Sequence, residues 1–469
     1  MKLAQLLRCE KKFADVEIKG ITNDSRSVSE GFLFVNTENN PEYDIHAAEM
    51  GAAVIVTANK LKLENAVIVD DTRVSFATAC ANWYGNPAKK LKIIGVTGTN
   101  GKTSVTYMLK AILEFSGKKV GLIGTNKYLV GDREIPSINT TPNAYYLNSL
   151  FNEMVKENCE YVVMEVSSHA LAQGHLISIP FEVAIFTNLT QDHLDFHKSM
   201  QEYFAAKLKL FKSCKNAVIN IDDFYGREIL KQIECKVVTY STQNESDFWA
   251  KGINCLAYHT SYKLLTDTLV PIEMNMGGNF TVYNSLCAIA CASLLGINIF
   301  NSAIALSKFK GVKGRVEVVE NIKDYTVIID YAHTPDGLKN LLKTFKQNAK
   351  NRLILLFGCG GDRDKTKRSI MGEIASIYAD YVIVTSDNPR TENPKKIIND
   401  IMKGIPNGLF KGKIIENRAE AIKFALSIAE KDDIIVLAGK GHETYQIIGK
   451  QRFPFDEREI VKSILQSHK

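Results

Sequence analysis

Short apolar runs bounded by turn residues and separated by helical segments recur along most of this chain. They fall at residues 92–97, 120–123, 161–165, 183–187 and 217–220, and again at 326–330, 353–357, 381–385 and 434–438. Runs with no polar alternation belong to strands covered on both faces. Strands alternating with helices supply that cover only as parallel sheets. The pattern therefore predicts an α/β protein with two parallel-sheet sections. Helices are expected over residues 102–115, 337–348 and 419–430. Residues 247–273 read as an antiparallel, peripheral section, and residues 284–295 as a helix of small residues in close packing. The first ~90 residues mix strands at 31–35 and 53–56 with a short helix at 46–51, and Asn86-Pro87 ends that section. Three domains are expected, 1–90, 91–313 and 314–469, which accords with a length of 469 residues at ~150 per domain.

Composition excludes several classes. Hydrophobic residues are 45% and charged residues 23%, ordinary for globular chains. No apolar run reaches the ~20 residues of a membrane span, and the first residues lack the apolar stretch of a secretory signal. Lys and Arg number 58 against 52 Asp and Glu, and the net +6 is spread along the chain. No basic block of nucleic-acid type stands out, so the balance suits small anionic substrates or solvated surface lysines. The nine scattered Cys form no CxxC pair and no Cys/His metal spacing. Reduced thiols, and with them a cytoplasmic location, are expected.

The segment GVTGTNGKT, residues 95–103, lies between an expected strand and an expected helix, the context that gives a glycine-rich loop meaning. Gly98 and Gly101 let backbone N–H groups wrap phosphates. Lys102 can reach the outer phosphates and Thr103 can offer its hydroxyl to Mg²⁺, with the helix N-terminus adding partial positive charge. Val96 stands where the usual pattern has its first glycine. The plainer reading is a tight strand-to-helix turn; GKT at such a junction favours nucleotide binding, without saying which reaction. Two polar clusters follow other strands: MEVSSH at 164–169 and TNLTQDHLDFH at 187–197. Glu165 ends an apolar run, where α/β sheets bind ligands and a carboxylate can hold Mg²⁺. Two Asp and two His in the second cluster look like a metal and phosphate site; taken singly, such clusters are more often caps and surface residues.

These segments, with YFAAKL at 203–208, NFTVYN at 279–284, GRVE at 314–317 and DYAHTP at 330–335, resemble the Mur ligase family over nearly the whole chain. These are ATP-dependent amide-forming enzymes of peptidoglycan precursor synthesis. The resemblance implies a UDP-binding N-terminal domain, a central ATPase domain and a C-terminal Rossmann-like domain. GCGGDRD at 358–364, SDNPR at 386–390 and GKGHE at 439–443 resemble the branch that adds the third peptide residue, and DNPR its meso-2,6-diaminopimelate-adding type. The implied reaction activates the D-glutamyl γ-carboxylate of UDP-N-acetylmuramoyl-L-alanyl-D-glutamate as an acyl phosphate, which the amine of a diamino dicarboxylic acid then attacks.

The same resemblance implies the site. ATP contacts are Gly98, Thr99, Asn100, Gly101, Lys102, Thr103 and Ser104, with Asn284 at adenine and Arg315 and Asp330 reaching across domains. Mg²⁺ is implied at Thr103, Glu165, His193 and Lys207, the last as a carbamate; the plainer reading of Lys207 is a surface helix lysine, and Lys209 is a decoy on another face. His333 stands near the ATP contacts, with a packing role as the alternative. Ser25 is implied at uridine, and Asn139, Thr140, Thr141, Ser167 and Gln173 at the muramoyl dipeptide. His175 stands in place of the family's Arg, and residues 36–42 lack the family's usual glycines. The amino-acid contacts are Arg363, Asp387, Asn388, Pro389, Arg390, Gly439 and Glu443. Chemistry supports that set: Arg390 can grip a distal carboxylate through two N–H groups, Glu443 can meet the ammonium, and a lysine substrate would leave Arg390 buried and unpaired. Lysine or lanthionine addition, a folate-type ligase and a non-catalytic nucleotide-binding homologue are the competing readings. A monomer that binds no nucleic acid is expected.

Overall fold

The computed structural model describes residues 1–319, 324–406 and 408–467. Its strands form three main sheets and one short hairpin sheet. The first main sheet is parallel, in the order Gly20–Thr22, Phe32–Val35, Val54–Thr57, Ala66–Ile68. The helix expected at 46–51 runs instead over Pro41–Glu49. Asn40 caps it by accepting from Glu42 N, and Pro41 opens it because a proline N–H is not needed in the first turn. Thr334-Pro335 starts the helix Pro335–Asn348 in the same way, two residues before its expected start.

The second sheet has eleven strands. Its parallel run is Phe248–Cys255, Lys236–Ser241, Cys214–Asn220, Phe181–Phe186, Lys92–Thr97, Tyr161–Glu165 and Val120–Ile123. The peripheral section is antiparallel as read, and it continues this sheet through Thr260–Leu265 and Leu269–Met274. The opposite edge carries a hairpin, Lys127–Val130 with Arg133–Pro136, that the sequence reading did not separate. The small-residue helix is Asn279–Leu294; Cys287, Ala288, Ala290, Cys291 and Ala292 are fully buried on it. Small side chains let it lie close against the helix Lys102–Phe115, and the two share one apolar core with the sheet face beneath.

The third sheet has the order Glu317–Val319, Thr326–Asp330, Ile434–Ala438, Leu353–Phe357, Tyr381–Val384, Gly412–Ile414, parallel except for its first strand. The four apolar runs read from the sequence are its four central strands. They are buried on both faces by helices such as Pro335–Asn348 and Arg418–Ser427, the latter three residues shorter at its end than expected. Among the described residues, no helix is long and apolar enough to cross a membrane.

Candidate active site

The large sheet explains why three distant segments meet. Lys92–Thr97 lies between Tyr161–Glu165 and Phe181–Phe186, all parallel. The glycine-rich loop, Glu165 and the segment from Thr187 therefore leave the same sheet edge side by side, at the strand ends where open α/β sheets bind ligands. The loop is fastened to its neighbour. Thr99 N donates to Asn188 O and Asn100 N to Asn188 Oδ1, each at 2.9 Å, and Thr187 Oγ1 donates to Asn100 O at 2.6 Å. Gly98 and Gly101 are both at positive φ, +150° and +89°. A Cβ on Gly98 would stand 1.9 Å from Thr187 Oγ1, and one on Gly101 2.5 Å from Asn284 Oδ1. Asn284 thus sits directly against the loop from the small-residue helix.

Two lysines meet beneath this loop. Lys102 Nζ donates to Gly98 O and Thr99 O at 2.9 Å. Lys207 Nζ donates to Gly98 O at 3.0 Å and lies 4.6 Å over the Tyr203 ring. Lys207 is 1% exposed, which removes the surface-lysine reading, while Lys209 is exposed. Burial, and after it the Lys102 ammonium, push the Lys207 ammonium well below its ordinary range. Glu165, also buried, accepts from Thr125 N at 2.8 Å and Thr125 Oγ1 at 2.9 Å.

The second polar cluster divides. Asp192 and His193 face the cleft, but His197 turns away to Ser168 Oγ at 2.8 Å, and Asp195 does not line the cleft. The four residues read together from the sequence are therefore not brought together: Asp192 and His193 face the cleft, while the short helix Leu194–His197 carries the other two off the strand end. Asp192 lies 3.3 Å from Lys367 Nζ and 3.8 Å from His333 Nε2. Burial pushes its carboxyl up, but Lys367, His193 and His333 outweigh burial and hold it well below the carboxylate range. Desolvation in the cleft wall, and then the Lys367 ammonium, push the His333 pKa down to about 4, so its imidazole is neutral near pH 7. Lys367 carries no signal in sequence, because its pairing with Asp192 joins two sheets.

The third sheet meets this edge. Arg315 Nη2 donates to Thr103 Oγ1 at 2.9 Å, and its guanidinium lies 4.6 Å over the Tyr331 ring. Asp330 accepts from Val316 N and Ala332 N at 2.7 Å. Asn100 Nδ2 donates to Asp336 Oδ2 at 3.0 Å. Between the sheets lies a cleft of about 1060 Å³. Lys102, Thr103, Glu165, His193, Lys207, Asn284, Arg315, Asp330 and Arg363 line it, as do Thr99, Asn100, Gly101 and Ser104. So do Asn139, Thr140, Thr141, Ser167, Gln173 and His175. Thr141 Oγ1 donates to Glu165 O at 2.8 Å and accepts from Ser167 N at 3.0 Å, which locks two segments of that wall together. His175 is kept neutral, mainly by burial, and its Nδ1 is buried without a partner. Ser25 does not line the cleft; it is buried in the first sheet's section, in the turn Ser25–Ser27.

The remaining expected residues stand on the ends of three adjacent strands of the third sheet. Arg390, at φ +51°, donates through Nη1 to Gly361 O at 2.7 Å. A Cβ on Gly360 would lie 2.9 Å from that Nη1 and 3.9 Å from Arg363 Cγ, so the two guanidinium side chains flank one spot. Burial, then the Arg363 charge, lowers the Arg390 pKa. Asn388 Nδ2 donates to Glu443 Oε2 at 2.9 Å. A Cβ on Gly439 would stand 2.7 Å from Asp387 Oδ2. Of this group only Arg363 lines the cleft; Asp387, Asn388, Pro389, Arg390, Gly439 and Glu443 form a cluster beside it. Sequence reading missed Lys440, whose Nζ donates to Glu443 Oε2 at 2.9 Å and Asn388 Oδ1 at 3.2 Å.

Residues 96–292 match the Mur ligase middle domain and residues 314–441 the Mur ligase glutamate ligase domain. The chain is 49% identical over 460 residues to the UDP-N-acetylmuramoyl-L-alanyl-D-glutamate–2,6-diaminopimelate ligase of Caldanaerobacter subterraneus subsp. tengcongensis, covering 96% of this chain and 95% of that protein. A solved structure of a ligase with the same name superposes with a TM-score of 0.71 at 32% identity, covering 100% of this chain and 98% of that one. The MurF ligase of Thermotoga maritima in complex with ADP shares the fold, with a TM-score of 0.63 at 18% identity over 97% of this chain and 99% of that one. With both family domains matched in order and a relative of this identity spanning nearly its whole length, the chain belongs to the Mur ligase family.

Proposed function

We propose that this protein joins meso-2,6-diaminopimelate to the D-glutamyl γ-carboxylate of UDP-N-acetylmuramoyl-L-alanyl-D-glutamate, with cleavage of ATP to ADP and phosphate. The observation that carries this reading is the cluster beside the cleft, in which Arg363 and Arg390 flank one spot next to Asp387 and Glu443. A distal centre bearing both a carboxylate and an ammonium matches those charges; the lone ammonium of lysine would leave a guanidinium unpaired. In this reading the domains run over 1–90, 91–313 and 314–469, and the protein acts as a cytoplasmic monomer in peptidoglycan precursor synthesis, with no nucleic-acid partner.

The loop N–H groups and Lys102 hold the ATP phosphates, and Asn284 meets adenine. Arg315 reaches over Thr103 from the third sheet, so closure of the two sheets on each other completes the nucleotide site. The wall of Asn139, Thr140, Thr141, Ser167 and Gln173 orients the muramoyl dipeptide with its γ-carboxylate toward the γ-phosphorus. The carboxylate oxygen attacks in line, the bond to the β–γ bridging oxygen breaks, and ADP leaves. The free amine of diaminopimelate then attacks the acyl carbon and phosphate departs. Both steps rest on positioning and charge neutralisation. Thr103 and Glu165 would hold one Mg²⁺ and His193 would help hold a second; a hydroxyl and a carboxylate suit an ion whose remaining positions go to phosphate oxygens and water. When bound, Mg²⁺ supplies positive charge at the phosphates. Lys207, depressed by burial and by Lys102, presents the neutral amine that takes up CO₂ with loss of a proton. The resulting carbamate would add negative charge where two lysine side chains now share the Gly98 carbonyl.

Phosphate release tests the reading, with ATP, Mg²⁺ and UDP-N-acetylmuramoyl-L-alanyl-D-glutamate and with diaminopimelate, L-lysine, lanthionine or no amino acid. Release with diaminopimelate alone is expected. Release with lysine or lanthionine instead would overturn the assigned specificity, and release with none would overturn the reaction.

A further inference from the structure

Lys440 is 0% exposed. Its Nζ donates to Glu443 Oε2 at 2.9 Å and Asn388 Oδ1 at 3.2 Å, and its flanks are the Tyr445 and Phe455 rings at 5.9 and 5.8 Å. These bonds settle the orientation of both neighbours. Asn388 Oδ1 takes Lys440 and Ile447 N, so the amide nitrogen is left to face Glu443. Glu443 Oε2 takes two donors, while among the described residues Oε1 accepts no hydrogen bond. One carboxylate oxygen is thus committed to the protein and the other left open.

The charge account explains why a lysine stands there. Burial, and then the Asp387 carboxylate, push the Glu443 pKa up, and Lys440 and Asn388 offset part of that rise. Two neighbouring buried carboxylates share a proton unless a cation intervenes. A protonated Glu443 would be a poor partner for an ammonium.

We propose that Lys440 is a positioning residue for the amino-acid substrate, holding Glu443 as a carboxylate with Oε1 open to the distal ammonium and Asn388 in one amide orientation. This inference rests on the reaction proposed above. Without Lys440, burial and Asp387 favour the protonated form of Glu443, and the carboxylate is recovered as pH rises. The other charged or titratable groups facing Glu443 are Asp387, Arg390, Tyr331 and Tyr445. The two tyrosines are raised above 10 and Arg390 carries no proton to lose in this range, so between pH 6 and 8.5 the expected response is that of Glu443.

The test is Lys440→Met in the full chain, followed by phosphate release at saturating ATP and UDP-substrate. KM for diaminopimelate, relative to the unaltered protein, is expected to rise at least tenfold at pH 6.5. The ratio should fall to threefold or less at pH 8.5, with KM for ATP unchanged. Adding Glu443→Gln should abolish that pH dependence. A KM ratio that is flat with pH, or equal losses for ATP and diaminopimelate, would overturn the role. If Lys440→Met does not fold, Lys440→Gln carries the same measurement, since it donates to Glu443 without charge. Diaminopimelate-dependent release by the unaltered protein separates the two claims: its absence refutes the reaction, while its presence beside unresponsive variants refutes only the role of Lys440.

Discussion

Replacing Gly98 with alanine probes how the phosphate loop is held. The new Cβ would stand 1.9 Å from Thr187 Oγ1, where real Cβ atoms keep at least 3.0 Å, so the loop and the segment at Thr187 must part by 1.1 Å or more. Thr187 cannot yield alone. Its hydroxyl donates to Asn100 O at 2.6 Å, and the next residue, Asn188, accepts from Thr99 N and Asn100 N. Losing the hydroxyl bond costs about 1 kcal/mol, and an alanine held at this glycine conformation adds about 1–3 kcal/mol. A stability loss of about 2–4 kcal/mol is expected. A ~1 Å displacement of phosphate-binding N–H groups costs about 10²-fold in kcat/KM. Calorimetric titration with ATP and thermal unfolding read the two effects separately. Thr187→Ala in the Gly98→Ala background removes the closest atom and leaves Asn188 O at 3.0 Å, so it should restore part of the stability. ATP affinity and turnover equal to those of the unaltered protein in Gly98→Ala, or a double variant no better than the single, would refute the argument.

Lys207→Ala should lose turnover, while Lys209→Ala, two residues on and exposed, should stay within a factor of about two, as surface changes generally do; phosphate release compares them. Arg418 and Glu457 form an ion pair in which both side chains are 0% exposed. Arg418→Met leaves the Glu457 carboxylate buried alone and should cost about 3–5 kcal/mol in urea unfolding, with less lost when Glu457 is also made apolar. The Glu392 carboxyl is held down at about 2, first by its hydrogen bonds from Arg368. A carboxylate depressed in the folded state stabilises above its unfolded value of 4.5, and that contribution is lost as pH falls toward 2. Thermal midpoints of Glu392→Gln and the unaltered protein should therefore differ at pH 6 and converge by pH 2; a constant difference would contradict the pairing.

The two parallel-sheet sections were legible because a strand buried on both faces is apolar at every position, a signal that survives in one dimension. Six runs, among them 92–97, 161–165 and 434–438, match strands at both ends. The hairpin Lys127–Val130 with Arg133–Pro136 escaped because one of its strands is mostly exposed and carries no apolar run. Helix starts at Asn40-Pro41 and Thr334-Pro335 were local signals that apolar pattern alone passes over. Within the site, the loop and Glu165 stood out because they follow or end an apolar run, and His193 because its polar segment begins where another run ends. Lys367 and Lys440 did not, since a lysine in sequence looks the same whether it meets solvent or a buried carboxylate.

By itself, then, the order of residues determines which segments leave strand ends: a backbone that must bury both faces of a sheet has to deliver its polar loops at the edges. Which of those loops become neighbours is decided only by strand order. Lys92–Thr97 lies between two strands that follow it in the chain, and that order draws Gly98, Glu165 and Thr187 together. The charge state of the groups there is also tertiary. Lys207 is depressed first by burial and then by Lys102, which shares its carbonyl, and Asp192 is held ionised because Lys367 arrives from another sheet. Those are effects of distance and burial, and neither quantity exists until the sheets have packed.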